Sequence, residues 1–166
     1  MAAATEFARR ARAAGALTFL NPAPAAPVPA ELLQLTDVLV PNEIEARTLT
    51  GMAGEAIDGA LAMGEALCAQ GPRRVVITLG ALGAVAVANG LRVHVPAFRT
   101  PIVDTVGAGD AFCAALAMGL GEGAALEQAV RFACAAGAIA CTRAGAEPSM
   151  PRREEIDALA ASGVHA

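Results

Sequence analysis

Residues 103–112, with the sequence VDTVGAGDAF, constrain the fold of this chain more than any other segment. A β-branched run ends in Gly107 and Gly109, Asp110 follows, and residues 111–120 are apolar and contain neither charge nor proline. This pattern predicts an extended segment that turns directly into a helix. Because the first N–H groups of a helix have no partner inside the helix, those of residues 107–110 can face an anion.

Asp110 lies in the first turn of that helix. A carboxylate there can take a proton from a hydroxyl held against the anion site, which suggests phosphoryl transfer to an alcohol. Spacing alone leaves open that Asp110 only caps the helix, or that the glycines form an ordinary turn. A dinucleotide-binding glycine fingerprint is disfavoured, because Phe112 follows where a third glycine would stand.

Composition excludes several classes of function. The chain has 166 residues, of which 55% are hydrophobic and 17% charged, so it can bury a core and is predicted to form a single domain, residues 1–166. The net charge is −4 and the arginines are scattered, which argues against binding to nucleic acid. Glycines interrupt the uncharged stretch 75–91, so no membrane helix is expected.

The cysteines form no Cys-x-x-Cys pair, and we expect free thiols in a reducing cytoplasm. They are Cys68, Cys113, Cys134 and Cys141. Arginines near the start leave a transit peptide as an alternative to an ordinary amphipathic helix over residues 2–14. Neither His94 nor His165 has a partner in the sequence, and both are predicted to face solvent.

Hydrophobic periodicity and turn residues predict strands that alternate with helices. Strands are expected at residues 16–20, 37–40, 74–79, 84–88 and 91–95, the last two joined by the hairpin signal Asn89-Gly90. Helices are expected at residues 2–14, 30–35, 41–49, 55–70, 124–141 and 152–161, and after the glycine turn at residues 107–110. A mostly parallel sheet places ligands beyond the carboxyl ends of its strands, so Asn42, Thr78 and residues 107–110 are predicted to converge on one cleft.

Residues 103–112 resemble the signature of the ribokinase, or PfkB-type carbohydrate kinase, family. Further segments resemble family landmarks in the same order: LNPAPA at 20–25, PNEIEA at 41–46, VITLGALG at 76–83 and AGAEPSMP at 144–151. The first and last of these are typical of the ribokinase branch. The resemblance implies a three-layer α/β ribokinase-like fold, mostly parallel with an antiparallel hairpin. It also implies that the family's N-terminal part and lid, with most sugar contacts, have no counterpart here.

The resemblance assigns roles to individual residues. It implies that Asp110 is the catalytic base and that the amides of Gly107, Ala108 and Gly109 form an anion hole. It implies ATP and Mg²⁺ contacts at Asn42 and Glu45, although Asn followed three residues later by Glu is also a common capping pattern. The remaining implied nucleotide contacts are Thr78, Gly80 and Gly83, with Cys134 beside the adenine.

A K⁺ site behind the anion hole is also implied by the resemblance, formed mainly by main-chain carbonyls. The matching positions are Asp104, Val106, Ala140, Arg143, Gly145 and Ser149. An ordinary helix-to-loop junction is the alternative for these residues.

Taken with the resemblance, the sequence predicts an ATP-dependent kinase that phosphorylates a sugar hydroxyl, ribose being preferred. A truncated nucleotide-binding fragment without sugar kinase activity is the alternative. A homo-oligomer, or a separate chain that supplies the N-terminal half, is compatible with either function.

Overall fold

The computed structural model describes residues 1–54 and 56–163. Its helices are α1 (Ala2–Ala13), α2 (Ala30–Gln34), α3 (Glu43–Thr50), α4 (Ala56–Cys68), α5 (Ala108–Gly121), α6 (Leu126–Ala140) and α7 (Arg153–Ala161). Its strands are β1 (Phe19–Leu20), β2 (Val38–Leu39), β3 (Arg74–Thr78), β4 (Ala84–Ala88) and β5 (Leu91–Val95). Short 3₁₀ helices occur at Gly80–Leu82 and Glu147–Ser149.

The five strands form one sheet in the order β1-β2-β3-β4-β5. β1 pairs in parallel with β2, and β2 in parallel with β3, where Leu39 lies opposite Val75. Asn89 and Gly90 join β4 to β5 with φ angles of 47° and 81°, as a type I′ hairpin turn requires. A two-residue connection between neighbouring strands makes that pair antiparallel, so the sheet is mixed.

Contacts within the chain group it into two compact units. The first contains Met1–Leu79 and Val85–His94, and its core combines β2, β3 and β4 with α4. Leu39, Leu67 and Ile77 are fully buried there. The single-domain organisation of the chain stays a prediction.

The second unit contains Gly80–Ala84 and the chain from Val95 onward. Its main packing contact joins α5 to α6, where Leu116 and Val130 are fully buried. At Gly119 the two helices approach so closely that an added Cβ would lie 3.2 Å from the Cβ of Ala129. Small residues therefore set the separation of α5 and α6.

The helices agree with the sequence-based predictions to within a few residues, whereas the first two strands are shorter than predicted. In place of a regular ladder, the Thr18 carbonyl accepts the N–H groups of both Asp37 and Val38, each at 3.0 Å. The buried Asp37 carboxylate in turn accepts the Thr18 N–H at 3.0 Å. These side-chain and shared hydrogen bonds replace regular pairing at the start of β2.

Some sequence-based predictions fall beyond the described residues or were wrong. Glu55, the predicted start of α4, and His165 lie outside the described residues. His94, predicted to face solvent, is half-buried in β5 between the buried residues Val93 and Val95. Among the described residues, no helix has both the length and the apolar character that crossing a membrane requires.

Candidate active site

Just beyond the regular β2–β3 pairing, the segments that follow the two strands are hydrogen-bonded to each other. The Thr78 N–H donates to the Pro41 carbonyl at 3.1 Å, and Asn42 and Thr78 form an isolated parallel bridge. The structure therefore brings these two predicted nucleotide-binding residues side by side, as expected for turns that follow neighbouring parallel strands.

Asn42 and Glu45 form a reciprocal capping box at the start of α3. Asn42 Oδ1 accepts the Glu45 N–H at 2.9 Å, and Glu45 Oε2 accepts the Asn42 N–H at 2.8 Å. Within the described part of the chain, Asn42 Nδ2 and Glu45 Oε1 have no hydrogen-bond partner. Asn42 is exposed, whereas Glu45 is 4% exposed. The cap thus uses one polar atom of each side chain; the second one of Asn42 belongs to an exposed residue, whereas that of Glu45 belongs to a buried one.

The loop after β3 turns through Gly80 and Gly83, whose φ angles are 56° and 89°. The Gly83 N–H donates to the Gly80 carbonyl at 3.0 Å, which closes a single 3₁₀ turn. Gly80 is exposed and has open space where a Cβ would lie. Gly83 is buried, and a Cβ there would lie 2.1 Å from the Val95 carbonyl oxygen. This close approach gives Gly83 a structural reason to be glycine.

The N-terminus of α5 is capped by backbone alone. Gly107 is the N-cap residue with φ 82° and ψ −8°, and no side chain caps the helix. The Ala108 N–H donates to the Thr105 carbonyl at 3.3 Å. Across the residues that the structure describes, the N–H groups of Gly107, Gly109 and Asp110 have no acceptor. Three of the four N–H groups at residues 107–110 are therefore open to an anion in this structure, and the anion hole of Gly107, Ala108 and Gly109 stays a prediction.

The Asp110 side chain is exposed in the first turn of α5. Its carboxylate accepts no hydrogen bond from any described residue and does not cap the helix. The alternative that Asp110 serves as a capping residue is therefore wrong. An exposed carboxylate next to unpaired N–H groups can meet a hydroxyl that lies against an anion.

Asp104 joins the segment before the anion site to the segment after α6. Its Oδ1 accepts the Val106 N–H at 3.1 Å, and its Oδ2 accepts the Gly145 N–H at 2.9 Å. The Cys141 carbonyl accepts the N–H groups of Val103 and Asp104 at 2.8 and 3.2 Å. The pKa of the Asp104 carboxyl is lowered, chiefly because the Gly145 N–H and then the Val106 N–H stabilise its charged form.

The candidate K⁺ ligands lie on these two joined segments. Among the described residues, the Ala140 carbonyl accepts the Arg143 N–H at 3.3 Å, while the other five candidate carbonyls accept no hydrogen bond. Those five are the carbonyls of Asp104, Val106, Arg143, Gly145 and Ser149. No cluster of three or more His, Cys, Asp or Glu side chains suited to a metal occurs in the described ranges. Main-chain oxygens without partners fit a weakly held monovalent cation.

Cys134 lies on α6 and is 7% exposed. Burial raises the pKa of its thiol to about 12, opposed in part by the charge of Arg131. The thiol is therefore neutral near pH 7. A contact with an adenine at this position would be an apolar one, consistent with the behaviour of a buried cysteine as a small hydrophobic residue.

The structure groups the predicted site residues into three sets. Asn42, Glu45 and Thr78 form one, the turn at residues 107–110 forms another, and residues 104–106 with 140–149 form the third. The predicted convergence of these turns on one cleft stays a prediction. Sequence reasoning missed the side-chain role of Asp104, because its partner Gly145 is 41 residues away.

Comparison with known protein families decides how this arrangement is classified. The pfkB family carbohydrate kinase model matches residues 1–153. The chain belongs to this family. The match covers α1 through to the start of α7 and includes every candidate site residue.

Curated relatives of this PfkB-family chain include ribokinases. It is 37% identical to the ribokinase of Haemophilus influenzae over 148 residues, which cover 89% of this chain and 48% of that protein. It is 40% identical to the ribokinase of Bacillus subtilis over 140 residues, covering 84% of this chain and 45% of that one. The chain therefore spans about half the length of these relatives.

Solved structures confirm the predicted fold class, a three-layer α/β ribokinase-like fold. The structure of Arabidopsis thaliana ribokinase complexed with ribose and ATP superposes with a TM-score of 0.87 at 34% identity. The alignment covers 95% of this chain and 52% of that one. Phosphofructokinase-2 from Escherichia coli in complex with potassium matches with a TM-score of 0.80 at 25% identity, covering 95% and 51%.

Proposed function

We propose that this chain is the nucleotide-binding portion of an ATP-dependent sugar kinase that transfers the γ-phosphate to a sugar hydroxyl, with ribose preferred. One observation carries the proposal: the exposed Asp110 carboxylate lies in the same helical turn as the unpaired amides of Gly107 and Gly109. Family membership supports the carbohydrate kinase chemistry, and the ribokinase relatives support ribose.

In the proposed reaction, Asp110 accepts the proton of the sugar hydroxyl while that oxygen bonds to the γ-phosphorus. The bond from the γ-phosphorus to the bridging oxygen breaks, and ADP leaves with that electron pair. The amides of Gly107, Gly109 and Asp110 hold the charge on the transferring phosphoryl oxygens. A positioned base typically raises the reaction rate by about 10²- to 10⁴-fold.

The nucleotide contacts are proposed for Asn42, Glu45 and Thr78, for Gly80 and Gly83, and, at the adenine, for Cys134. Glu45 keeps one carboxylate oxygen without a described partner, which suits the one or two carboxylates and several waters that Mg²⁺ prefers. When bound, Mg²⁺ and K⁺ would offset the negative charge of the phosphates. The carbonyls of Asp104, Val106 and Gly145 would help to hold K⁺, with those of Ala140, Arg143 and Ser149.

A second function follows from the span of the chain, which covers about half of its ribokinase relatives. A chain of this span could bind nucleotide and yet not phosphorylate a sugar. If the acceptor is not held in a reactive geometry, roughly 7–11 kcal/mol of barrier reduction is forfeited. The chain would then retain the anion site and lack turnover.

A pair of measurements separates the two functions. Calorimetry with ATP in the presence of Mg²⁺ and K⁺ measures binding, and a coupled ADP-release assay with ribose measures turnover. Sugar kinase activity requires both signals, whereas binding without turnover supports the second function. The absence of ATP binding would contradict both.

The Asp110→Asn variant tests the role of the base. We expect it to abolish ribose-dependent turnover and to keep the affinity for ATP, since the amide donors remain. Asp157→Asn removes an equal charge from α7 and serves as the matched control. Turnover that survives in Asp110→Asn would reject the base assignment.

A further inference from the structure

Asp37 is a buried carboxylate that lies immediately before β2 and contacts both neighbouring strands. The residue is 4% exposed. Its Oδ2 accepts the Thr18 N–H at 3.0 Å and lies 3.0 Å from the Thr18 hydroxyl oxygen, while its Oδ1 lies 3.4 Å from Arg73 Nη1. Thr18 immediately precedes β1, and Arg73 immediately precedes β3. One side chain therefore joins the amino ends of three parallel strands.

The main chain of Asp37 makes the same two connections. Its N–H lies 3.0 Å from the Thr18 carbonyl oxygen and 2.9 Å from the Thr18 hydroxyl oxygen, both of which can accept it. Its carbonyl accepts the Arg74 N–H at 3.0 Å. The backbone and side-chain bonds of Asp37 thus support one and the same alignment of β2 with β1 and β3.

The hydrophobic pattern of β2 does not by itself define this alignment. Val38, Leu39 and Val40 are all buried, and so are residues 75–77 in β3. A strand that is buried on both faces has no polar side, so a shift by one residue would still bury apolar side chains. Regular pairing adds little, because it comprises only two residue pairs on each side of β2. A further group must specify the register.

The Asp37 carboxylate is suited to this task because a shift would separate it from its partners. In a shifted register it would lose Thr18 and Arg73 and stay in the interior without them, which is costly for a buried charge. Fixing a register is also the best-attested role of buried polar groups. The same shift would move Asn42 away from Thr78, which it meets in an isolated parallel bridge.

We propose that Asp37 is a positioning residue whose bonds to Thr18 and Arg73 fix the register of β2 and thereby place Asn42 beside Thr78. Asp37 precedes β2 and Asn42 follows it, so Asp37 acts through the strand and does not touch the nucleotide. The consequence for ATP rests on the proposed function, in which Asn42 and Thr78 are nucleotide contacts. The register itself can be measured without any ligand.

Two substitutions of Asp37 test the proposal. Asp37→Leu removes every acceptor of the side chain at similar size, whereas Asp37→Asn keeps one oxygen that can accept from Thr18. The Thr78 N–H, which donates to the Pro41 carbonyl, reports on the alignment. Its hydrogen exchange, measured by NMR without ligand and relative to the slowest amides of the same protein, is expected to accelerate in Asp37→Leu and to stay nearly native in Asp37→Asn. ATP affinity is expected to fall by about tenfold in Asp37→Leu only, the size of one lost hydrogen bond.

A stability-matched control separates register from general destabilisation. Leu67→Ala opens a cavity in the core of the same unit without touching Asp37, since Leu67 is fully buried in α4. It is expected to lower stability while keeping the relative protection of the Thr78 amide and, at a temperature where the protein is folded, the native ATP affinity. If Asp37→Leu does not fold, Thr18→Val decides the question, because it removes the hydroxyl partner and keeps the carboxylate. Faster relative exchange of Thr78 in Thr18→Val supports the proposal, and native protection overturns it.

The remaining outcomes distinguish this proposal from the proposed function. A folded Asp37→Leu protein with native Thr78 protection would overturn the register assignment and leave the kinase proposal standing. The assignment also fails if Asp37→Asn behaves like Asp37→Leu, or if Leu67→Ala reproduces the effect of Asp37→Leu. If the unaltered chain does not bind ATP, the proposed function fails, and the register assignment is then decided by Thr78 exchange alone.

Discussion

Asn42 and Thr78 pair just beyond the ends of two parallel strands, in a bridge that keeps the β2–β3 register three residues after the Leu39–Val75 pair. Asn42 also caps α3 with its side chain. The same residue therefore ends a strand, begins a helix and presents its remaining amide hydrogens to solvent. These three roles can be separated by substitution.

Substitution of Asn42 separates its cap from its proposed ligand contact. Asn42→Ala removes the acceptor for the Glu45 N–H and is expected to cost about 1 kcal/mol of unfolding free energy. Asn42→Asp keeps a capping oxygen and adds a charge that repels phosphate, so we expect nearly native stability with weakened ATP binding. Urea unfolding and ATP titration measure the two effects, and Thr48→Ala on the exposed face of α3 is the control. Native ATP affinity in Asn42→Asp would contradict the assignment.

The glycines at the start of α5 are expected to respond differently to alanine. Gly109 has no heavy atom within 4 Å of an added Cβ, so Gly109→Ala should leave stability unchanged or slightly raised. Its methyl group would nevertheless lie beside the proposed donors, and ATP affinity is expected to fall by about tenfold, or 1.4 kcal/mol. Thermal unfolding together with calorimetry checks this separation of binding from stability.

Gly107→Ala provides the comparison for that prediction. Gly107 has φ 82°, and an added Cβ would lie 3.1 Å from Ala146 Cα and 3.0 Å from Met150 Cε. Backbone strain and crowding should together lower stability by about 1–3 kcal/mol. A Gly107→Ala protein as stable as the native chain would show that the turn can relax around the new methyl group.

Gly83 and Gly80 lie in one loop and yet should tolerate alanine very differently. An added Cβ at Gly83 would lie 2.1 Å from the Val95 carbonyl oxygen, which is backbone and cannot rotate away. We expect Gly83→Ala to lose about 3 kcal/mol or more, whereas Gly80→Ala meets open space and bears only the roughly 1–2 kcal/mol cost of its left-handed backbone. Denaturant unfolding of the two variants side by side tests the difference.

The buried Cys134 thiol predicts a loss of stability at high pH. Burial raises its pKa to about 12 from an ordinary value of 9.0, so the unfolded chain releases this proton first. Stability is therefore fully present below the unfolded pKa and is lost as pH rises from there towards the folded pKa. Between about pH 9 and about pH 10 the single group lowers the free energy of unfolding by roughly 1 kcal/mol.

Cys134→Ala is the variant that tests this linkage. Its free energy of unfolding should fall less steeply with rising pH than that of the native chain, although Cys68 and Cys141, whose thiol pKa values are also raised, contribute in both proteins. Urea unfolding of each protein at pH values below and above 9.0 gives the slope of its unfolding free energy against pH. Equal slopes would indicate that Cys134 ionises in the folded state as readily as in the unfolded one.

Local signals explain which features were predictable from the sequence. The Asn89-Gly90 turn and the Asn42–Glu45 capping box depend on residues close together in the chain, and both occur as their patterns predict. The bond from the Ala108 N–H to the Thr105 carbonyl could not be predicted from the sequence. That bond depends on how the backbone turns and not on the type of any side chain.

Long-range contacts account for what the sequence could not reveal. The bond from Gly145 to Asp104 and the approach of Gly83 to Val95 arise only when distant segments pack together. Likewise, β1 and β2 are shortened because a buried carboxylate and hydroxyl at Asp37 and Thr18 replace ladder bonds. Periodicity reports which face of a strand is apolar and contains no information about such partners.

The close contact between α5 and α6 at Gly119 and Ala129 links the positions of the two helices. One helix begins at the turn that is proposed to bind an anion, and the other ends at the loop that carries most of the proposed K⁺ carbonyls. A bulkier side chain at Gly119 or Ala129 must push the two helices apart. This displacement would move the end of each helix that carries a proposed site. A single methyl group added at Gly119 would therefore affect both proposed ligand sites, because the two helices that carry them meet at this contact.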